Sequence, residues 1–208
     1  MCESVPPPFA GAVSYAAYQG GLRSLIHLLK YDGVATAARP LGKMLAAAVG
    51  KIDAEELKDA VVVAVPLHPA KEEQRGFNQS QLIAKEAVAE LRRAGATLRM
   101  TRGVLRRERP TESQFGLTAR ERRRNLKGAF AVRKVEAVRG RTVLLIDDIY
   151  TTGATARECS RVLMAAGAAR VYVATLTRAQ PDGVEVWDAA QFVTTPVTFT
   201  GGGTLTAR

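Results

Sequence analysis

The sequence predicts an α/β fold built on a mostly parallel β-sheet. Continuous apolar, β-branched runs typical of strands buried on both faces recur along the chain, as in AVVVAVP at 60–66 and TVLLIDD at 142–148. Segments whose apolar residues recur at helical spacing separate these runs. Strands that alternate with crossover helices form a parallel sheet flanked by helices.

The first half of the chain is predicted to begin with a strand at 12–18. A helix follows Gly20-Gly21, because the apolar residues of LRSLIHLLKY recur at helical spacing. The elements that follow are an alanine- and leucine-rich helix at about 34–50, the strand at 60–66, a loop at 67–80 and a helix at 81–95 that stops at glycine.

The second half begins with a predicted strand at 97–106 and a long, arginine-rich loop at 107–124 that runs into a short helix. The remaining predicted elements are a short run at 128–132, a turn at 133–140, the strand at 142–148, a helix that ends at Gly167 and a strand at 170–177. We expect three parts: an N-terminal segment at 1–50, a core at 51–178 and a poorly structured tail at 179–208.

The composition excludes several classes of protein. Of the 208 residues 47% are hydrophobic and 24% are charged, as in ordinary globular chains. No apolar run approaches the ~20 residues of a membrane-spanning helix, and the N-terminus has no signal-peptide pattern. The two cysteines, Cys2 and Cys159, cannot build a disulfide framework. We therefore expect a soluble, cytoplasmic protein without membrane insertion.

The positive charge is concentrated in one segment. The chain has 30 basic and 20 acidic residues, a net charge of +10, whereas the segment 92–141 alone holds 16 basic and 4 acidic residues and so carries +12. We call these residues the basic segment. It is either a solvated surface or a contact for a polyanion, such as nucleic acid or a polyphosphate.

A phosphate-binding turn is predicted directly after the strand at 142–148. This strand delivers Asp147 and Asp148 to the carboxyl edge of the sheet, where ligands of open α/β folds bind. Small residues and hydroxyls at 151–155 then lead into a helix, whose N-terminal N–H groups attract anions. Carboxylates beside a phosphate indicate a sugar and a hydrated Mg²⁺ between them. The alternative is a strand-terminal acidic pair followed by an ordinary helix.

The run VLLIDDIYTTGAT at 143–155 resembles the phosphoribosyl pyrophosphate (PRPP) signature of type I phosphoribosyltransferases. Four further runs resemble one branch, the ComF competence-protein family: GLRSLIHLLKYDG, AVPLHP, RGFNQ and TESQFGLTARERRRNLKGAF. The resemblance covers about Tyr15 to Thr177. It implies a mostly parallel twisted sheet flanked by helices, with a small N-terminal hood that selects the nucleobase. Lys30 and Tyr31, at the end of the first helix, could reach the site from this hood.

The resemblance assigns roles to individual residues. The 5′-phosphate would lie in the turn formed by Thr151, Thr152, Gly153, Ala154 and Thr155, and Asp147 and Asp148 would contact the ribose hydroxyls, partly through water on Mg²⁺. The pyrophosphate loop corresponds to Pro66, Leu67 and His68, preceded by Val65. His68 is interpreted as a residue that supports this loop.

The basic segment and the residues before it would then stabilise the departing pyrophosphate. Arginines placed in advance stabilise charge that develops as the C1–O bond breaks, and a lid over the site would exclude water. The candidates are Arg75, Arg109, Arg122 and Arg124. The amides Gln79, Gln114 and Asn125 are expected to hold the loop rather than to read a base.

ComF-type proteins usually begin with a zinc ribbon, and this sequence departs from that pattern. Only Cys2 lies where the last ribbon cysteine is expected, and a structural zinc site needs four ligands. Either the lineage lost the ribbon or the sequence starts after it. We expect no zinc, and we expect Cys159 to be a small buried hydrophobic residue.

Two functional hypotheses from different classes follow. The first is a Mg²⁺-dependent phosphoribosyltransferase that binds PRPP, transfers phosphoribose to a nitrogenous acceptor and releases pyrophosphate. The second is a non-catalytic protein of the same fold, either a PRPP-responsive regulator or a partner of the competence machinery whose basic segment contacts single-stranded DNA. Few aromatic residues interleave with the arginines of that segment, so such binding would be mostly electrostatic. A homodimer is compatible with either hypothesis.

Overall fold

The computed structural model describes residues 6–109 and 118–179. Its strands are β1 (Gly11–Ala17), β2 (Val61–Ala64), β3 (Arg99–Met100), β4 (Leu105–Arg107), β5 (Phe130–Val132), β6 (Thr142–Tyr150) and β7 (Arg170–Arg178). Five of them form one sheet in the order β1-β7-β6-β2-β3, and every pair in it is parallel. The strands β4 and β5 form a separate antiparallel ribbon. The predicted fold class is confirmed.

The helices within the described residues connect these strands. They are α1 (Gly20–Tyr31), α2 (Ala38–Val49), α3 (Pro69–Arg75), α4 (Gln79–Arg93), α5 (Ala119–Leu126) and α6 (Ala154–Ala165). Two 3₁₀ turns, at Ala35–Ala37 and Val135–Ala137, complete the set. None of the helices in this part of the chain has the length and apolar character needed to cross a membrane.

The core consists of two apolar layers, one on each face of the sheet. Helices α1, α2 and α4 cover one face, where Leu144 and Ile146 of β6 point. Helix α6 and the β4–β5 ribbon cover the other face, where Val143 and Leu145 point. Because successive residues of β6 are buried on opposite faces, its sequence is a continuous apolar run.

Three predictions need correction. Residues 67–80 are not all loop, because Pro69–Arg75 forms α3, with Pro69 in its first turn and Gly76 in the left-handed conformation at its end. The predicted strand at 97–106 is divided between β3 and β4, which belong to different sheets. The helix expected at about 34–50 begins at Ala38, after a 3₁₀ turn.

The division at residues 50 and 178 stays a prediction. Strand β1 pairs with β7, and α2 shares a core layer with α4, so the first 50 residues pack directly against the sheet of the later ones. Cys2, Gln114 and the residues from 180 onward lie outside the described part of the chain.

The close approach of α2 to α4 depends on Gly42. A Cβ atom built on this residue would lie 2.3 Å from Glu86 Cβ and 2.9 Å from the backbone nitrogen of Ala87. Backbone atoms cannot move aside without shifting the helix, so only glycine fits at this contact.

Gly42→Ala is expected to lower the free energy of unfolding by about 1–3 kcal/mol, although alanine is the better helix former. Gly21→Ala in α1 is the matched control, because a Cβ there meets nothing within 4 Å. Urea denaturation measures both variants. A stability gain in Gly42→Ala equal to that of the control would contradict the close contact.

Candidate functional site

The site lies at the carboxyl edge of the sheet, where β2 ends and β6 continues as far as Tyr150. Ala64 of β2 pairs with Ile146 of β6, and Asp147 pairs with Thr175 of β7. The loop after β2, at 65–68, and the turn after β6, at 151–155, therefore follow adjacent parallel strands at the same edge of the sheet. That these two loops form a common site stays a prediction.

Asp148 faces the helix layer that contains α1 and forms an ion pair there with Lys30. Only 5% of Asp148 and 16% of the Lys30 side chain are exposed to solvent. The carboxylate also accepts a hydrogen bond from the backbone N–H of Ile149 at 2.9 Å. Lys30, assigned to the hood from the sequence, thus touches the acidic pair directly.

Asp147 is held by polar contacts of a different kind. Its Oδ1 accepts hydrogen bonds from the Ser80 hydroxyl at 3.2 Å and from the Asp148 backbone N–H at 2.9 Å. Ser80 lies in the first turn of α4, so this helix fixes the orientation of the carboxyl group.

The two adjacent carboxyl groups have pKa values displaced in opposite directions. Burial, reinforced by the negative charge of Asp148, raises the pKa of Asp147 to about 8. Burial also acts to raise the pKa of Asp148, but the charge of Lys30 and its hydrogen bond outweigh burial and lower it. The pKa of Lys30 is raised, because the attraction of Asp148 exceeds the effect of burial.

This donor set fits a Mg²⁺ ion that is shared with a ligand. Hydrated Mg²⁺ is usually held by one or two carboxylates together with substrate phosphates. Within residues 6–109 and 118–179, no group of three or more metal-ligating side chains forms a closed cage. Asp147, which is desolvated and whose charged form is disfavoured, would be stabilised as a carboxylate by such a cation.

The turn between β6 and α6 has the shape of an anion cradle. Gly153 precedes the helix with a φ of 72°, the left-handed conformation that favours glycine, and the Tyr150 hydroxyl oxygen lies 2.2 Å from where a Cβ would be. The hydroxyl of Thr152 is buried and has no hydrogen-bond partner among the described residues. An unpaired buried donor beside the N-terminus of α6 is suited to bind a phosphate oxygen.

The loop at 65–68 is fastened by Asn78, which is the N-cap of α4. The Asn78 amide donates to the carbonyl oxygen of Val65 at 3.0 Å, and its own oxygen accepts from the Gln81 N–H at 3.3 Å. Val65 and Pro66 are buried, and His68 is the N-cap residue of α3. All peptide bonds of the described residues are trans, including Val65-Pro66.

The arginines predicted from the sequence make different contacts in the structure. Arg75 donates to Gln79 and lies 5.7 Å from the ring of Tyr31, at the end of α1. Arg109 donates to the backbone carbonyls of Asn125 at 2.9 Å and Lys127 at 3.1 Å, so its guanidinium supports the end of α5. Arg122 and Arg124 lie on α5, the latter exposed.

Sequence reasoning missed Arg107, Asn78 and Ser80. Arg107 is half-buried with its guanidinium carbon 5.6 Å from the Phe130 ring, and burial lowers its pKa while the charge of Asp147 acts against that shift. The burial of Arg107 could have been predicted from the alternation of side chains along β4, which places Arg107 on the same side as the buried Leu105. Asn78 belongs to the RGFNQ run, and an asparagine shortly before the helix at 81–95 is a pattern that predicts an N-cap.

Cys159 is fully buried in α6 among apolar residues, which confirms the interpretation of this residue as part of the core. Burial raises the pKa of its thiol well above the usual value, so the group is unreactive.

Asn78→Ala is expected to lower the free energy of unfolding by about 2 kcal/mol, because it removes a helix cap and leaves a buried carbonyl without a donor. Asn78→Asp retains a capping oxygen but cannot donate to Val65, so it should remain destabilised. Urea denaturation of both variants separates the loss of the helix cap from the loss of the hydrogen bond to Val65. Full stability in Asn78→Asp would mean that the contact with Val65 contributes nothing.

Comparison with known proteins gives a consistent result. The model of the phosphoribosyl transferase domain matches residues 33–203. The chain is 36% identical over 180 residues to the DNA utilization protein YhgH of Escherichia coli (strain K12), covering 85% of this chain and 76% of that protein. It is 32% identical over 182 residues to competence protein F of Haemophilus influenzae, covering 86% and 77%. Competence protein ComFC of Bacillus subtilis is 33% identical over 122 residues, covering 58% and 45%. The chain therefore belongs to the phosphoribosyltransferase domain family, in its ComF-like branch.

Proposed function

We propose that the protein is a Mg²⁺-dependent phosphoribosyltransferase that binds PRPP and transfers its phosphoribose to a nitrogenous acceptor. One observation carries the proposal: near its end β6 carries two adjacent carboxyl groups whose pKa values are displaced in opposite directions, and the turn that follows β6 has a buried, unpaired hydroxyl at Thr152. A ligand that is anionic at both ends and has hydroxyls between them matches this order of groups.

Different parts of the site would bind different parts of the ligand. The turn at 151–155 would hold the 5′-phosphate through backbone N–H groups and the Thr152 hydroxyl. Asp147 and Asp148 would accept hydrogen bonds from the ribose hydroxyls. The loop at Pro66, Leu67 and His68, fastened by Asn78, would hold the pyrophosphate end.

In the reaction, the C1–O bond to pyrophosphate breaks, a bond from C1 to the acceptor nitrogen forms, and the acceptor releases a proton. Mg²⁺, when bound, supplies positive charge that neutralises the phosphates and favours departure of pyrophosphate. The protein contributes orientation and fixed charge rather than a nucleophile. Arg75 at the end of α3 and Arg107, which is electrostatically coupled to Asp147, would add positive charge to that of the predicted Arg109 and Arg122.

The double variant Asp147→Asn, Asp148→Asn is expected to bind PRPP at least tenfold more weakly in the presence of Mg²⁺, because charged hydrogen bonds contribute about 1.5–3 kcal/mol each. Calorimetric titration of PRPP with and without Mg²⁺ measures this. The single variant Asp147→Asn keeps the ion pair between Lys30 and Asp148, so it tests the site even if the double variant does not fold. Asp53→Asn, an exposed aspartate, is the control. Affinity equal to that of the wild type in the double variant would disprove the site.

A second function, contact with single-stranded DNA, has its own supporting observation. Helix α5 and the residue after it carry Arg120, Arg123, Arg124 and Lys127, all exposed, while its acidic residue Glu121 is engaged in the capping box of Thr118. The names of the relatives in E. coli and H. influenzae refer to DNA utilization and competence. Such a face would bind a polyanion without regard to sequence.

Substitutions in the basic segment separate the two functions. If it serves catalysis, Arg109→Ala and Arg122→Ala should each weaken pyrophosphate binding by about tenfold, as expected for a lost charged contact. Arg141→Ala, an exposed residue just before β6, removes the same charge at the opposite end of the sheet.

If α5 instead contacts DNA, single-strand affinity should fall steeply with salt. Removal of Arg120, Arg123 or Lys127 should then reduce the slope of log K against log salt by about 0.7 each, whereas pyrophosphate binding should be unchanged. Fluorescence anisotropy at several salt concentrations measures the slope. If Arg109→Ala and Arg122→Ala both bind pyrophosphate as tightly as the wild type, the basic segment has no catalytic role.

A further inference from the structure

An exposed face of α1 combines aromatic rings with positive charge, outside the basic segment. Arg23, His27 and Tyr31 follow one another at intervals of four residues, so they lie along one side of the helix. All three are exposed, and Tyr31 is 69% exposed. The opposite side of α1 is occupied by Ile26 and Leu29, which are buried in the core. We call Arg23, His27 and Tyr31, together with Arg75, the α1 face.

The rings of the α1 face are held in place by their neighbours. The ring centroids of His27 and Tyr31 are 4.6 Å apart at an interplanar angle of 40°. The Arg75 guanidinium carbon lies 5.7 Å from the Tyr31 ring, and that of Arg23 lies 5.7 Å from the ring of Tyr18. An exposed tyrosine with such neighbours loses little conformational entropy when a further planar group stacks on it.

The charge of the α1 face favours an anionic partner. Helix α1 contains no acidic residue, and Asp32, just after its end, lies 3.5 Å from His27. The inward-pointing Lys30 is already paired with Asp148 and fixes the end of the helix beside the site. Tyr31 therefore stands at the border of the site while facing solvent.

We propose that the α1 face binds single-stranded nucleic acid, with a base stacked on Tyr31 and phosphates against Arg23 and Arg75. The inference rests on the second proposed function, contact with DNA, and supplies the aromatic component that the basic segment lacks. The distance along the helix from Arg23 to Tyr31 is about 12 Å. Only unpaired bases expose the faces that such a platform needs, because the bases of a duplex are stacked on each other.

The test compares a short oligothymidylate with an abasic strand of the same length by fluorescence anisotropy. Tyr31→Ala is expected to weaken oligothymidylate binding by at least fivefold and to leave abasic binding unchanged, because only the former offers a ring to stack. Tyr31→Phe should retain wild-type affinity. Met164→Ala, which removes an apolar side chain of α6 that is 41% exposed, is the control.

A salt titration tests the charged part of the α1 face. Arg23→Ala should reduce the slope of log K against log salt by about 0.7 on both strands, because a phosphate contact does not depend on the base. A slope equal to that of the wild type would exclude Arg23 as a phosphate contact.

The outcomes separate this inference from the function on which it rests. If the wild type binds neither strand, contact with DNA is disproved and the α1 face with it. If the wild type binds DNA but Tyr31→Ala has no effect, the α1 face alone is disproved. If Tyr31→Ala weakens PRPP or pyrophosphate binding and not oligothymidylate binding, the ring belongs to the small-molecule site and the inference is wrong.

Discussion

The ion pair between Lys30 and Asp148 makes the rest of the site physically possible. Strand β6 is buried on both faces, and near its end it carries two adjacent carboxyl groups, that of Asp148 buried and that of Asp147 partly buried. Two neighbouring negative charges in such a place would repel each other and lose their hydration. Lys30 neutralises one of them, which leaves Asp147 as the group whose charge depends on a further cation. The ammonium comes from α1, so the same contact also ties the first helix of the chain to the centre of the sheet.

The start of α4 is the second element on which the site depends. Asn78 holds the carbonyl of Val65, and Ser80 holds the carboxyl of Asp147, so one helix turn fixes both the loop after β2 and the end of β6. Arg75 and Gln79 hydrogen-bond each other across the same turn. The RGFNQ run therefore holds the loop after β2 through Asn78, and Ser80, the next residue along the chain, holds Asp147 of β6.

The sequence predicted those parts of the molecule that local pattern determines. The strands at 60–66 and 142–148 could be predicted because burial on both faces produces continuous apolar runs. The turn at 151–155 could be predicted because it consists of small residues and hydroxyl-bearing threonines. Helix α3 was missed because none of its residues is buried, so it has no apolar stripe. The pairing of Lys30 with Asp148 and the electrostatic coupling of Arg107 to Asp147 join residues that are distant in the chain, and only the tertiary fold relates them. Gln79 accepts a hydrogen bond from Arg75 at the end of α3, and the expectation that it holds the loop stays a prediction.

The two proposed activities meet at the end of β6 rather than on separate surfaces. Asp148 faces α1, where Lys30 and the exposed ring of Tyr31 lie. Asp147 is electrostatically coupled to Arg107 of the β4–β5 ribbon, whose connection includes α5 with its exposed arginines. That connection is anchored on α6, because Glu158 accepts a hydrogen bond from the Gly128 N–H at 2.7 Å. A nucleic-acid strand bound across the α1 face would lie on the helix whose Lys30 pairs with Asp148, and a phosphoribosyl ligand in the cradle would contact the same carboxylate. Binding of one should change the affinity for the other through the charge at this strand end, and linkage requires that the effect be reciprocal.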